Sequence, residues 1–303
     1  MLANYMPKPQ VVFIDVGEKN KPFLKKVYIQ TWGCQMNVAD TERMLSLLGT
    51  LNYRPTEMVE EADLILLNTC HIREKARHKV VSRLGEIKPL KEANPNLIIA
   101  VAGCVAQAES EQLAKEAPFV DVVFGPDKIE QLPDILSEVV QKKESYLSNT
   151  SEFLAKPEPL VETQFDSKET GYSIPIDVIP PYYDEEKSEV SRYVNIIKGC
   201  NNFCTFCVVP YTRGREKSRL EPEILSEINY LTSKGVKEII LLGQNVNSYG
   251  LDLIGASDVK STNGQLPFAD LLYSVSAIEA VKRVKFTTSN PHDFTPALAK
   301  AFA

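Results

Sequence analysis

The 303 residues hold 34 Lys and Arg against 40 Asp and Glu, a formal charge of −6, and 44% of them are hydrophobic. This composition suffices for two buried cores, argues against a chain that coats nucleic acid by bulk positive charge, and contains no apolar run long enough to span a bilayer, the longest being 97–106. The N-terminus lacks a basic start followed by an apolar core, so no signal peptide and a cytoplasmic location are expected, and six cysteines in a reducing compartment favour metal binding or catalysis over disulfides.

After a polar leader, the β-branched and aromatic run 26–32 predicts a strand ending at Gly33-Cys34. A helix is expected next, capped by Asp40 and carrying Met44, Leu45, Leu47, Leu48 and Leu51 on one face. The apolar run 63–69 predicts a second strand, ending at Cys70, and a helix over 73–88 stopped by Pro89. The same form recurs: 97–103 leads into Cys104, 109–117 reads as helix, and 120–124 as a fourth strand closed by Gly125-Pro126.

Apolar strands separated by helices argue for an α/β fold, a Rossmann-like parallel-sheet domain over 24–140. Cys34, Cys70 and Cys104 each stand at the end of a successive strand. Parallel strands share one C-terminal edge, where ligands bind, so thiols separated by roughly 35 residues, one βα unit each, are expected to converge. The competing reading is three separate buried thiols. Gly33 and Gly103 are expected to let the backbone approach a bulky ligand. No Gly-x-Gly-x-x-Gly is present, which argues against a dinucleotide. The densest basic tract, 71–91, includes Arg73, Lys75, Arg77 and Lys79. It reads either as a solvated helix face or as a set of phosphate contacts.

The stretch 141–189 is polar and Pro-interrupted, at Pro157, Pro159, Pro175, Pro180 and Pro181, and reads as a linker. A second domain over 190–303 then repeats strand and helix: strands at 192–198, 236–242 and 284–288, helices at 221–233 and 266–280. The third strand has no successor to pair with, an exposed edge, so the chain reads as part of a longer protein. Between the first strand and its helix stands Cys200-x3-Cys204-x2-Cys207. Three closely spaced thiolates can hold three irons of a 4Fe-4S cube and leave the fourth open to a substrate. Structural zinc is the alternative, but it needs a fourth ligand, and no Cys or His follows Cys207 until His292.

Five stretches carry a family resemblance: Gly33-Cys-Gln-Met-Asn, Asn68-Thr-Cys, Ala102-Gly-Cys-Val-Ala-Gln, the run from Cys204 through Val208-Val-Pro-Tyr-Thr-Arg-Gly, and Gly243-Gln-Asn-Val-Asn-Ser-Tyr-Gly. With them the chain resembles the radical SAM (S-adenosyl-L-methionine) methylthiotransferase family, most of all its tRNA-modifying branch, over about 26–294 apart from the linker. The resemblance implies that 190–303 is the first half of a (β/α)6 partial TIM barrel. It also implies two 4Fe-4S clusters, one on Cys200, Cys204 and Cys207 that binds S-adenosyl-L-methionine, and one on Cys34, Cys70 and Cys104 that handles sulfur. Phe206, Gln244, Asn245 and Ser289 are then expected contacts to S-adenosyl-L-methionine, because residues after barrel strands line the active site, with Phe203 helping to shield the cluster.

The implied activity is addition of a methylthio group to C2 of N6-dimethylallyladenosine beside the anticodon of tRNA, by a monomer whose electron and sulfur donors the motifs do not name. Abstracting hydrogen from an unactivated aromatic C–H calls for cofactor-borne radical chemistry. Relatives of the same family acting on threonylcarbamoyladenosine or a ribosomal-protein aspartate are the near alternatives, and a non-catalytic metal-binding module is the alternative from another class. His71, directly after Cys70, departs from the small residue expected there.

Overall fold

Leu64, Ile65, Leu66 and Leu67 are all fully buried. Successive strand residues point to opposite faces, so such a run is stable only where helices cover a sheet on both sides. The computed structural model, which describes residues 25–71, 74–148, 157–165, 174, 190–254 and 267–301, has that arrangement. It divides into two units, Met1–Gln164 and Phe165–Ala303.

In the first unit the strands are β1 (Lys25–Trp32), β2 (Tyr53–Pro55), β3 (Leu64–Thr69), β4 (Ile98–Ala102), β5 (Val122–Phe124) and β6 (Leu160–Glu162), and the helices α1 (Gln35–Thr50), α2 (Glu74–Ala93), α3 (Cys104–Glu116) and α4 (Leu132–Ser148). All strand pairs are parallel, in the order β2-β1-β3-β4-β5-β6. One core cluster joins Ile65, Leu67, Ile99, Val101 and Val123 of the sheet to Val80, Leu84 and Ile87 of α2 and Leu113 of α3. The helices α1 and α4 pack against each other. The parallel α/β sheet is thus as the apolar runs predict.

Four details differ from expectation. The helix α1 starts at Gln35, so Asp40 is not its cap but a buried residue within it; Cys34 takes the N-cap position. The helix α2 runs through Pro89 to Ala93. Its last turn is held from outside, since Lys91 Nζ reaches Asp121 Oδ2 at 2.6 Å, and Gly85, four residues before Pro89, has open space beside it, where a proline ring presses on the preceding turn. The helix α3 begins at Cys104 and breaks its helical dihedrals at Glu109 (φ −130°, ψ 25°), whose carboxylate is drawn to Arg77 and lies 3.6 Å from His71. The stretch read as a linker supplies the end of α4 and the edge strand β6, which is too short, at three residues, for alternation to reveal. Most of the rest of it, including Pro175, Pro180 and Pro181, lies outside the described residues.

In the second unit β7 (Ser191–Asn195), β10 (Glu238–Leu242) and β11 (Arg283–Thr287) form a parallel sheet in the order β11-β10-β7. It is covered by α6 (Glu221–Ser233), α7 (Pro267–Ser276) and α8 (Pro296–Lys300). Val194, Ile239 and Leu241 pack with Ile224 and Ile228 of α6, Phe268 and Leu271 of α7, and Leu298 of α8. The expected strand 192–198 breaks at Ile196, after which β8 (Ile197–Lys198) pairs antiparallel with β9 (Lys217–Ser218), and a short α5 (Val209–Thr212) lies between them. The expected helix 266–280 is shorter, ending at Ser276. Among the described residues no helix is long and apolar enough to cross a membrane.

At the N-terminal ends of β4 and β5, Lys91 and Lys143 share one carboxylate, Asp121, and both reach the carbonyl of Leu97. Burial pushes the Lys143 ammonium down to about 8, Asp121 opposing the shift and Lys91 adding to it. An unfolded lysine titrates near 10.4. Between pH 8 and 10 the unfolded chain therefore binds more protons, and stability should rise with pH. Above about 10 the trend reverses, because burial holds Tyr53 protonated up to about 12 in the folded protein while the unfolded phenol ionises. Urea unfolding midpoints across this range should show the rise, and Lys143→Met should flatten it.

Candidate metal centres

The first centre follows from register. Trp32 pairs with Thr69 and Asn68 with Ala102, so β1, β3 and β4 end in step, and Cys70 N donates to Trp32 O at 2.8 Å. Cys34 caps α1, Cys70 follows β3 and Cys104 opens α3. Three neighbouring strand ends thus carry the three cysteines at one sheet edge, Cys70 and Cys104 buried and Cys34 half-buried.

The two glycines stand where the cysteine-bearing segments meet. A Cβ on Gly33 would lie 2.4 Å from Asn37 Oδ1 and 2.9 Å from Cys70 Cβ; one on Gly103, whose φ is +92°, would lie 2.5 Å from Asn68 Oδ1 and 2.6 Å from Thr69 O. They let the cysteine-bearing segments approach one another. Beneath them lies a polar layer of Asn37, Asn68, Thr41 and Thr69, all buried. Thr69 Oγ1, beside Cys70, has no hydrogen-bond partner. Sequence reasoning missed this layer, although Asn37 and Asn68 stand inside the quoted motifs; their signal is two amides close to two cysteines in otherwise apolar surroundings.

The basic tract is mostly paired internally. Arg77 bonds Glu109 and also Glu116 at 2.9 Å, Arg83 bonds Glu86 at 2.7 Å, and Lys88 lies 3.7 Å from Glu92. Lys75 is exposed, and Arg73 lies outside the described residues.

The second centre hangs from β8 by backbone contacts. Gly199, at φ +76°, would place a Cβ 2.0 Å from Arg215 O, and Gly214 has φ +75°. Cys200 N donates to Gly214 O at 3.1 Å, Asn201 N to Glu216 Oε1 at 3.1 Å, and Glu216 N back to Asn201 Oδ1 at 3.4 Å. A turn closes Cys207 N on Cys204 O at 2.9 Å. Arg219, fully buried, bonds Asn195 O at 2.9 Å and Glu227 at 2.5 Å, joining the end of β7 to α6. Cys200 is buried, Cys207 half-buried and Cys204 exposed. Burial pushes both the Cys200 thiol and the Glu216 carboxyl up, the latter helped by Asp293 and Asp252.

Of the other expected site residues, Phe206 is 91% exposed and takes no part in core packing. Phe203 sits at φ +45°, under the Arg215 guanidinium at 4.2 Å and edge-on to Tyr211. Gln244 Oε1 accepts from Gly199 N at 2.5 Å, while its Nε2 is buried without a partner. Asn245 donates to Ser248 Oγ and Asp293 Oδ2, both at 2.6 Å, and accepts from Asn290 N at 3.1 Å. Ser289 is exposed just beyond β11. Among the described residues no three His, Cys, Asp or Glu side chains form a single-ion site; a cube spreads its thiolates over separate irons.

Residues 26–125 match the family described as Uncharacterized protein family UPF0004, and residues 194–303 match the radical SAM superfamily. With a cysteine triad in each, the chain belongs to the radical SAM methylthiotransferase family. It is 43% identical over 281 residues to the tRNA-2-methylthio-N(6)-dimethylallyladenosine synthase of Myxococcus xanthus, an alignment covering 92% of this chain and 53% of that protein. To the synthase of the same name from Yersinia enterocolitica it is 47% identical over 274 residues, covering 89% and 51%. The chain thus spans about half the length of these curated relatives. Among solved structures, the radical S-adenosylmethionine methyltransferase TsrM from Kitasatospora setae shares the fold, with a TM-score of 0.54 and 12% identity, over 92% of this chain and 57% of that one.

Placing a side chain at Gly103 combines a left-handed backbone with a clash against Asn68 and Thr69. Gly103→Ala should destabilise the first unit by more than about 1 kcal/mol, read as a lower urea midpoint, while Gly85→Ala, where nothing lies within 4 Å, should not.

Proposed function

We propose that the protein adds a methylthio group to C2 of N6-dimethylallyladenosine in tRNA, next to the anticodon, and does so as a cytoplasmic monomer. The observation that carries this reading is the delivery of Cys34, Cys70 and Cys104 to one sheet edge in a chain that also holds the Cys200, Cys204 and Cys207 loop. The donor sets fit iron–sulfur clusters: each is three thiols, with glycines where segments meet closely, and a buried donor without a partner lies near each, Thr69 Oγ1 at one and Gln244 Nε2 at the other.

In this reading Cys200, Cys204 and Cys207 hold one 4Fe-4S cluster and Cys34, Cys70 and Cys104 the second. When bound, the first supplies the electron that cleaves S-adenosyl-L-methionine and the second a site for sulfur. The chain's own residues bind and orient. Gln244 fixes Gly199 through its oxygen and offers its amide N–H to a ligand carboxylate; Phe206 presents a flat apolar face suited to an adenine ring; Ser289 adds a hydroxyl at the end of the third strand. Asn245, whose side chain bonds Ser248, Asp293 and Asn290, holds the loop after β11 in place rather than contacting S-adenosyl-L-methionine. His71, placed 3.6 Å from Glu109, is turned to a carboxylate and leaves ligation to its neighbour Cys70.

Anaerobic reconstitution with iron and sulfide should load about eight irons per chain, two cubes of four. Replacing Cys200, Cys204 and Cys207 with Ala should leave about four and abolish 5′-deoxyadenosine formation; retained formation overturns the radical-site assignment. Replacing Cys34, Cys70 and Cys104 should also leave about four and, in the full-length enzyme, keep that cleavage while losing methylthio transfer. Nucleoside analysis of tRNA from a strain lacking the gene identifies the substrate, and an unchanged level of the 2-methylthio nucleoside overturns it.

A further inference from the structure

The polar layer under the first triad has one side chain that meets all three cysteine-bearing segments. Burying an amide is costly unless its donors and acceptor are met, and Asn68, fully buried, meets them across the segments. Its Nδ2 donates to Asn37 O at 2.8 Å and to Thr41 Oγ1 at 2.9 Å, both in the helix that Cys34 caps. Its Oδ1 accepts from Asn37 Nδ2 at 3.2 Å and is the atom nearest to a Cβ built on Gly103, directly before Cys104. Cys70 lies two residues further on, directly after the strand that holds Asn68. The contacts continue outward at both ends: Thr41 Oγ1 lies 2.7 Å from Thr31 Oγ1 on β1, and Asn37 Oδ1 lies 3.4 Å from Cys34 Sγ.

We infer that Asn68 is a positioning residue for the iron–sulfur site, setting the mutual spacing of Cys34, Cys70 and Cys104. This rests on the proposal that these cysteines hold a cluster. The reason is directional. Both Nδ2 hydrogens of Asn68 are used by α1 and its oxygen accepts from Asn37 Nδ2, so the helix that Cys34 caps is fixed against the strand that leads to Cys70. Without Asn68 the Asn37 amide is free to rotate, and Gly103 loses the surface against which it packs. Groups beside metal ligands orient them and tune the metal.

The test uses this 303-residue chain carrying Cys200→Ala, Cys204→Ala and Cys207→Ala, so that only the first centre can be loaded. Adding Asn68→Ala should increase iron loss to a chelator by about 10- to 100-fold, the usual effect of removing a group that supports a metal ligand. It should also change the electron paramagnetic resonance spectrum of the reduced cluster, which a merely structural role would leave alone. Unchanged iron retention and an unchanged spectrum overturn the inference. If Asn68→Ala fails to fold by circular dichroism, Thr41→Val and Asn37→Ala decide: each should shift the same spectrum, and no shift in either overturns the inference. A chain that loads no cluster even with Asn68 intact overturns the underlying reading instead, and the inference with it.

Discussion

The in-register parallel pairing of β1, β3 and β4 is the constraint on which the first centre depends. A strand buried on both faces is poorly placed to hold register by hydrophobic pattern alone, because sliding by one residue exchanges one apolar face for another. Leu64 to Leu67 are such a run. Polar groups at the two edges supply what the pattern lacks. At one edge Asp63 accepts from Lys26 N at 2.7 Å, and Asp121 accepts from Ile99 N at the same distance, so a carboxylate marks where the β1–β3 and β4–β5 ladders begin. At the other edge the amides of Asn37 and Asn68 mark where the ladders end. A one-residue slip would break the contacts of exposed Asp63 and half-buried Asp121 and leave the buried amides of Asn37 and Asn68 without partners, at a cost of about 1–3 kcal/mol for each amide. The cysteines inherit their placement from these marks.

The second centre is built on another principle. Its cysteines lie in one loop, and the loop is tied down almost entirely through main-chain groups: Gly199 N to Gln244, Cys200 N to Gly214, Asn201 N to Glu216. Binding residues are commonly carried on loops positioned by a rigid scaffold. Here the scaffold is the strand-to-helix tie made by buried Arg219, Asn195 and Glu227. Backbone anchoring leaves the side chains of the loop unspent. Phe206 and Tyr211 are therefore exposed, and Phe203 holds a left-handed backbone of the kind found at ligand clamps.

How much of this was legible in the sequence depended on the range of the interaction involved. The strands 26–32, 63–69 and 97–103 were readable because their apolar character is local, and so was the loop at Cys200, whose ligand spacing lies within eight residues of chain. Helix starts were less so. At α1 the expected cap, Asp40, lies inside the helix, and the true start at Gln35 follows from the close fit of Gly33 against Cys70 and Asn37, a tertiary contact without periodicity. At α3 the expected start coincides with a real break at Glu109, so the local signal was present but marked an interruption. The continuation of α2 past Pro89 and the pairing of β6 with β5 depend on partners about 30 or more residues away, Asp121 for Lys91 and Val123 for Val161. No local rule of propensity reports such contacts.

The same distinction between local and distant partners governs the charges. Counted along the chain, 71–91 is a basic tract; counted in space, much of its positive charge is already compensated by Glu109, Glu116, Glu86 and Asp121, three of which lie outside the tract. Arg77 spans α2 and α3 by bonding both Glu109 and Glu116, which raises its guanidinium further; the Glu116 carboxyl is held down by the hydrogen bond from Gln112 first and by Arg77 second. Phosphate affinity grows with the number of cations that actually displace counterions, and an arginine already bonded to two carboxylates is poorly placed to count among them. The role of the tract that the structure supports is therefore mainly internal: it ties the helix after Cys70 to the helix that begins at Cys104, and thereby holds two of the three strand-end cysteines on a common frame.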